Sequence, residues 1–314
     1  MAVVQDTKLA VELSSAGTSA GRRWADRAMT GLVVLAFLIA LIPLVSVSWT
    51  VIVRGIGRLT PYFLSVSMRG VYGGMDAGGI YHAIMGTLII TLLATLISVP
   101  IGLMTAIYLV EYGKGPLARW VTFFVDVMTG IPSIVAGLFA YALFALILGP
   151  GIRSGFVGAV ALSVLMIPVV VRSCEEMLRL VPNELREASY ALGVPKWLTV
   201  VRIVLRTAIA GITTGVMLSI ARVIGETAPL LLVAGQTDSI NLNPFSGRMM
   251  TLPVYIYSQY RQGLVPCAAD ATDCIATINY DRAWAAALTL IIIVMGLNLI
   301  ARLISRLFSP KTGK

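Results

Sequence analysis

Asn183-Glu184-Leu185-Arg186-Glu187-Ala188-Ser189-Tyr190-Ala191-Leu192-Gly193-Val194-Pro195, followed by Ile203-Val204-Leu205-Arg206, is the stretch on which the reading of this chain turns. Pro182 precedes Asn183, a good N-cap residue, and Glu184 then lies near the positive end of a helix dipole. A helix is predicted through Glu187, Ala188 and Ala191, ending at Gly193, which accepts the left-handed conformation of a C-cap. Pro195 opens a second helix, where its missing N–H costs nothing. The expected unit is a short helix, a tight turn and a second helix. Taken alone it is an ordinary amphipathic helix pair; its flanks make it more.

Those flanks are apolar. Of the 314 residues, 58% are apolar and 12% charged, about half the charge of a soluble domain. A bilayer core needs about 20 apolar residues per helix. Six stretches qualify: Met29 to Val53, Tyr81 to Val110, Trp120 to Leu148, Gly155 to Val171, Ala208 to Gly235 and Ala283 to Ile304. The fold expected is an all-α integral membrane protein with six transmembrane helices. With the N-terminus inside, 16 of the 24 Lys and Arg residues fall on inner segments, 7 on outer ones, and Arg222 within a span. That excess predicts both termini in the cytoplasm and a multi-pass protein of the cytoplasmic membrane; Arg54 and Arg58 are a local counter-signal. The net charge of +9 therefore reports inner loops, not nucleic acid.

Four regions follow. Residues 1–28 read as a disordered cytoplasmic tail. Residues 29–80 hold the first span, an uncleaved signal anchor, and a Gly-rich, irregular outer loop. Residues 81–305 form a five-helix domain carrying the 172–206 loop, and 306–314 a cytoplasmic tail. Residues 236–282 are expected as the longest outer loop, with Asn243-Pro244 and Gly263 as turn formers. Cys267 and Cys274 lie there and either pair as a disulfide, if the loop is outside, or remain two thiols. Cys174 reads as an ordinary inner thiol. One His, His82, and no clustered Cys speak against a metal site, and no cofactor is expected. His82 reads as an interfacial polar residue. Tyr255, Tyr257 and Tyr260 form either an interfacial belt or a docking surface.

The spacing Glu187-Ala188-Ser189, three residues, Gly193, nine residues, Ile203-Val204-Leu205 resembles the EAA loop of binding-protein-dependent ABC importer permeases. Ser189 stands for the second Ala and Arg206 for the closing Pro, whose loss removes a kink before the fifth span. The resemblance implies a type I importer permease fold in which this loop supplies the coupling helices. Glu187, Ala188, Ser189 and Gly193 would then engage a cytoplasmic ATPase subunit. The chain has no GxxxxGK[ST] stretch, so a partner must supply the nucleotide site; the chain is read as a transport subunit, not an enzyme.

Ionisable residues at membrane depth mark function by default. Asp126 falls in the third span, Arg222 and Glu226 in the fifth. Arg222 and Glu226 stand four apart and would share a helix face, as a substrate site or as interhelical glue. Asp126 is either a second partner for Arg222 or a structural residue. Pro229 clashes with the carbonyl of Gly225, so Gly225 to Pro229 is a natural helix break, and broken helices line cavities in transporters. A guanidinium there suits an oxyanion. Ala221-Arg222-Val223-Ile224-Gly225-Glu226-Thr227-Ala228-Pro229-Leu230-Leu231 is similar to the fifth-span signature of A-type permeases of phosphate importers, and Gly130-Ile131-Pro132-Ser133-Ile134-Val135-Ala136-Gly137 is similar to the same family. The resemblance covers about residues 80–305. It implies a heterodimer with a homologous C-type permease, an ATPase dimer beneath, a soluble phosphate-binding protein outside, and alternating access. It places Arg222, Glu226 and Thr227 on the substrate path and Arg172 at its exit. The rivals are a permease for sulfate or molybdate, an intramembrane enzyme using Asp126 and Glu226, and a channel. Gly211 and Gly215 form a small-residue face that packs either within the chain or on a partner permease.

Overall fold

The computed structural model describes residues 20–268 and 273–308. Among the described residues there are twelve α-helices, and the only strand-like pairing is one bridge between Met75 and Cys274. The chain divides into two compact units, residues 1–52 and 53–314. The first is, as far as described, helix α1, Ala20–Gly55, whose final residues belong to the second unit. It starts inside the expected tail. Arg22 to Ala28 contain no proline, so the helix formed by the apolar run simply extends backwards. Residues 1–19 and 309–314 lie outside the described residues.

In the second unit, α3 (Tyr81–Ile107) ends in a π-helical turn, Tyr108–Tyr112. It lies along α6 (Gly155–Arg179), the most extensively packed helix pair. Helix α6 outlasts its predicted end at Val171 because Arg172, Glu175 and Arg179 bind one another across successive turns. Helix α9 (Leu205–Ile224) and α12 (Ile278–Phe308) complete the frame. Ala94, Leu162, Met166, Val170, Val204 and Val223 are among the buried residues of the core they enclose. Each fully buried Leu or Val contributes about 1.5–3 kcal/mol relative to water. In lipid the outward faces need no such burial.

Among the described residues, five helical stretches are long and apolar enough to cross a membrane: Gly21–Arg58, Tyr81–Tyr112, Gly155–Arg179, Lys196–Ile224 and Ile278–Leu303. A sixth exists if α4 (Pro116–Thr129) and α5 (Ser133–Leu148) count together, but they meet at 110°. This corrects the continuous third span expected over Trp120–Leu148. Gly130 caps α4, and Pro132, which has no N–H to continue a helix, stands at the N-cap of α5.

Two expected loops are more ordered than predicted. In 54–80, Thr60 caps a short helix α2 (Pro61–Ser65), its hydroxyl accepting from the Phe63 N–H at 3.2 Å, and Phe63 and Met68 are buried. Arg58 pairs with Asp76 at 2.8 Å, and the buried Arg282 donates to the carbonyls of Met75 and Ala77 at 2.7 and 2.9 Å. In 236–282, helix α11 (Leu252–Gln262) ends at Gly263. Its polar-aromatic sequence hid it from a hydropathy reading. Tyr255 is fully buried, and His82, also buried, meets it edge-on at 5.7 Å. His82 is therefore a core residue, not an interfacial one. Burial raises the Tyr255 phenol above its usual range. Tyr257 and Tyr260 remain exposed. Cys267 and Cys274 form a disulfide, with Cα atoms 5.7 Å apart.

Candidate functional site

Helix α9 stops at Ile224. The Gly225 and Glu226 N–H groups turn back onto the carbonyls of Arg222 and Val223 at 3.3 and 3.1 Å, and a new helix α10 (Ala228–Val233) starts with Pro229 in its first turn. Proline thus begins a helix here instead of kinking one, since the missing N–H is harmless in a first turn. The fifth span expected over Ala208 to Gly235 is two helices, broken where Gly225 to Pro229 predicted, and its inner part begins earlier, at Lys196. Glu226 lies beyond the end of α9, so it does not share a helix face with Arg222. Among the described residues no ion pair or hydrogen bond engages the Arg222 guanidinium, which is exposed. The Arg222–Glu226 glue expected as one alternative is absent from these described contacts.

Gly225, Thr227 and Ala228 line a cleft of about 620 Å³, walled by Pro253 and Tyr257 of α11 and by Leu290 of α12. It is largely apolar. The break is held from behind by α5. An added Cβ on Gly137 would stand 2.7 Å from the Cα of Pro229. The two sequence runs carrying the family resemblance, around Gly137 and around Pro229, therefore touch each other.

Arg172 sits apart from this break. It binds Asp126 of α4 and Glu175 of its own helix, the latter at 2.7 Å, and Arg179 also binds Glu175 at 2.7 Å. Asp126 is thus a partner of Arg172, not of Arg222. Two carboxylates offset the Arg172 charge, which leaves it a weaker anion ligand than its sequence position promised. Gly211 and Gly215 of α9 pack within the chain, on Met177 and Ser173 of α6.

The 180–205 segment folds as a short helix α7 (Asn183–Ala191), a turn, and α8 (Lys196–Thr199), which runs through a π-helical turn Val200–Val204 into α9. Gly193 adopts φ +75°, and the N–H groups of Gly193 and Val194 bond the carbonyls of Tyr190 and Ser189 at 2.9 and 3.2 Å. This is the Schellman closure of a helix end. Asn183 is the first helical residue, and its side chain accepts from Arg186 instead of capping. Glu187 and Ala188 are exposed, whereas Ser189 is buried with its hydroxyl 2.8 Å from that of Thr199. Ser189 therefore closes the turn and is withheld from any partner surface. The π-helical turn supplies a local distortion just before Arg206, where the resembling motif carries proline.

Sequence reasoning passed over Glu111. Its carboxylate, 4% exposed, accepts from Arg186 Nε and Nη2 at 3.0 and 2.9 Å. A Glu just after a long apolar run could have been questioned, but its partner lies 75 residues away. Among the described residues no group of three or more His, Cys, Asp or Glu is placed to hold a metal.

Residues 98–314 match the family described as binding-protein-dependent transport system inner membrane component. The chain is 51% identical over 284 residues to the phosphate transport system permease protein PstA 1 of Mycobacterium tuberculosis (strain CDC 1551 / Oshkosh), covering 90% of this chain and 89% of that one. It is 38% identical over 296 residues to the phosphate transport system permease protein PstA of Pasteurella multocida (strain Pm70), covering 93% and 97%. Among solved structures, a bacterial alginate ABC transporter in complex with a pentasaccharide-bound periplasmic protein aligns with a TM-score of 0.60 at 16% identity, over 94% of this chain and 98% of that one. An inward-facing MetNI methionine ABC transporter aligns with a TM-score of 0.53 at 20% identity, over 74% and 94%. These two share the fold, that of type I ABC importer permeases. With its apolar helices, its interrupted fifth span and its 183–205 helical turn, the chain belongs to the binding-protein-dependent transport system inner membrane components, among the PstA permeases.

Proposed function

We propose that this chain is the permease subunit of an ATP-driven importer that carries inorganic phosphate across the cytoplasmic membrane by alternating access. Both termini face the cytoplasm, a homologous C-type permease completes the pathway, and a binding protein delivers phosphate from outside. A cytoplasmic ATPase dimer docks on Glu187, Ala188 and the turn at Gly193. The observation that carries the reading is Arg222. It is an exposed cation at membrane depth, one turn before a helix break, and nothing described in its own chain pairs with it. An unpaired arginine in the hydrocarbon region costs about 2.5–3.5 kcal/mol on insertion scales, so it needs an aqueous cavity or an anion. Its fork of donors matches a tetrahedral oxyanion. Glu226 and Thr227, half-buried at the break, complete the path, and Gly225 and Pro229 define the bend. Arg172 serves the exit side as part of an ion-paired network. An intramembrane acid–base pair is disfavoured, because Asp126 is engaged by Arg172.

The test is reconstitution with the partner permease, ATPase and binding protein, followed by ATP-dependent phosphate uptake. Arg222→Gln should assemble normally and lose roughly ten-fold or more of the uptake, the scale of one charge-assisted contact. Normal uptake by that variant removes Arg222 from the path. Wild-type uptake of sulfate or molybdate in place of phosphate keeps the importer and changes its substrate.

A further inference from the structure

Helix α7 is attached to the rest of the chain by few side chains. Ser189 is its one buried residue among those described, and that hydroxyl bonds Thr199 within the same loop. Leu185, Tyr190 and Leu192 point outward. Arg186 is different. It is 12% exposed and spends its guanidinium on the carboxylate of Glu111, on the carbonyls of Leu178 and Val181 at 3.0 and 2.6 Å, and on Asn183. Glu111 belongs to the π-helical turn that ends α3.

The second helix of the loop grips the same residue. Lys196, the first residue of α8, donates its ammonium to the backbone carbonyl of Glu111 and lies 4.8 Å over the ring of Tyr112. One residue of α3 thus receives a cation from each side of the Gly193 turn, one through its side chain and one through its backbone. The receiving turn, Tyr108–Tyr112, is π-helical, as is Val200–Val204 at the far end of α8. Such turns are rare and frequently lie at functional sites.

We infer that Glu111 and Arg186 form the joint through which movement of α7 is transmitted to α3. This rests on the reading of α7 as the element an ATPase pushes. A push on an exposed helix has three routes into the membrane domain: back along the chain through Leu180 to Pro182 into α6, forward through Gly193, where the glycine turn can flex, or sideways through Arg186. The sideways route ends on a buried carboxylate with a fixed geometry, so it carries displacement with less slack. Glu111 is a positioning residue in this scheme and touches no substrate.

The experiment uses the complete reconstituted complex and two substitutions, Glu111→Gln and Arg186→Lys. Glu111→Gln keeps side-chain size and a hydrogen-bonding group but removes the charge, and Arg186→Lys keeps the charge but removes the fork of donors that converges on Glu111 Oε1. The readout is substrate moved per ATP hydrolysed, using whichever oxyanion the wild-type complex carries. The expected result is normal ATPase co-purification, ATP hydrolysis close to wild type, and a fall in the transport ratio on the order of five-fold. A merely structural pair would lower uptake and hydrolysis together, in proportion to assembled complex, and leave the ratio unchanged; that overturns the inference. So does failure of both variants to assemble, which would place the pair in folding. Glu187→Ala in parallel separates the two readings. If ATPase still co-purifies fully with that variant, the docking assignment of α7 fails, whereas an unchanged ratio in Glu111→Gln with docking lost in Glu187→Ala condemns only the joint.

Discussion

Gly137 shows how a single absent methyl group holds the candidate pathway in shape. A Cβ there would meet the backbone of Pro229 at 2.7 Å, and backbone cannot step aside as a side-chain end can. Gly137→Ala is therefore expected to destabilise the chain by about 1–3 kcal/mol, the usual cost of overpacking. In detergent, its thermal midpoint should fall by several degrees, with uptake reduced in parallel. Gly296→Ala is the control, because a Cβ added there would meet nothing within 4 Å; it should be neutral or slightly stabilising by helix propensity. Equal midpoints for the two variants would show that α5 and α10 are not in close contact. Arg222 and Pro229 were legible as residues, since charge at membrane depth and proline in a span are local signals. The contact of Gly137 with Pro229 was not, because 92 positions separate them in sequence.

At the scale of elements, the turn between α7 and α8 depends on Gly193 at φ +75°. A residue with a Cβ pays about 1 kcal/mol or more in that region. Gly193→Ala should loosen the closure of α7 and weaken ATPase co-purification by several-fold, with spans unaffected as judged by total helix content. Unchanged co-purification would mean the turn tolerates strain or that docking lies elsewhere. The helix, glycine and proline of this loop were readable because caps are coded within four residues. The break of the expected third span was misjudged although Gly130 and Pro132 were in view. Its apolar composition is unbroken, and hydropathy does not register a 110° bend. Helix α11 was missed for the opposite reason. It is too polar and too short to resemble a span, yet it buries Leu252, Val254 and Tyr255 in its first turn.

For the whole molecule, the proposed orientation has a direct test. Cys174 is buried and Cys267 and Cys274 are bonded to each other, so a new surface cysteine would be read against a quiet background. Tyr72 and Leu192 are 75% and 84% exposed. Tyr72→Cys should react with a membrane-impermeant maleimide in intact cells, and Leu192→Cys only after permeabilisation. The reverse pattern would invert the topology and with it the docking assignment. A disulfide within the 263–277 connection suits an oxidising exterior, in keeping with the labelling expected at Tyr72.

The sequence by itself determined the class of protein, the approximate place of most of its spans, the helical turn at Gly193 and the interruption near Pro229. Each is written in composition or in neighbours a few residues apart, where caps, prolines and apolar runs act. Only the tertiary structure decided which charges meet. Asp126 went to Arg172, Glu111 to Arg186, and Arg222 to no partner described in its chain. Likewise it placed His82 against Tyr255 and closed Cys267 onto Cys274. A charge takes whatever opposite charge the packing of distant helices brings within about 3 Å, and spacing along the chain does not encode that encounter.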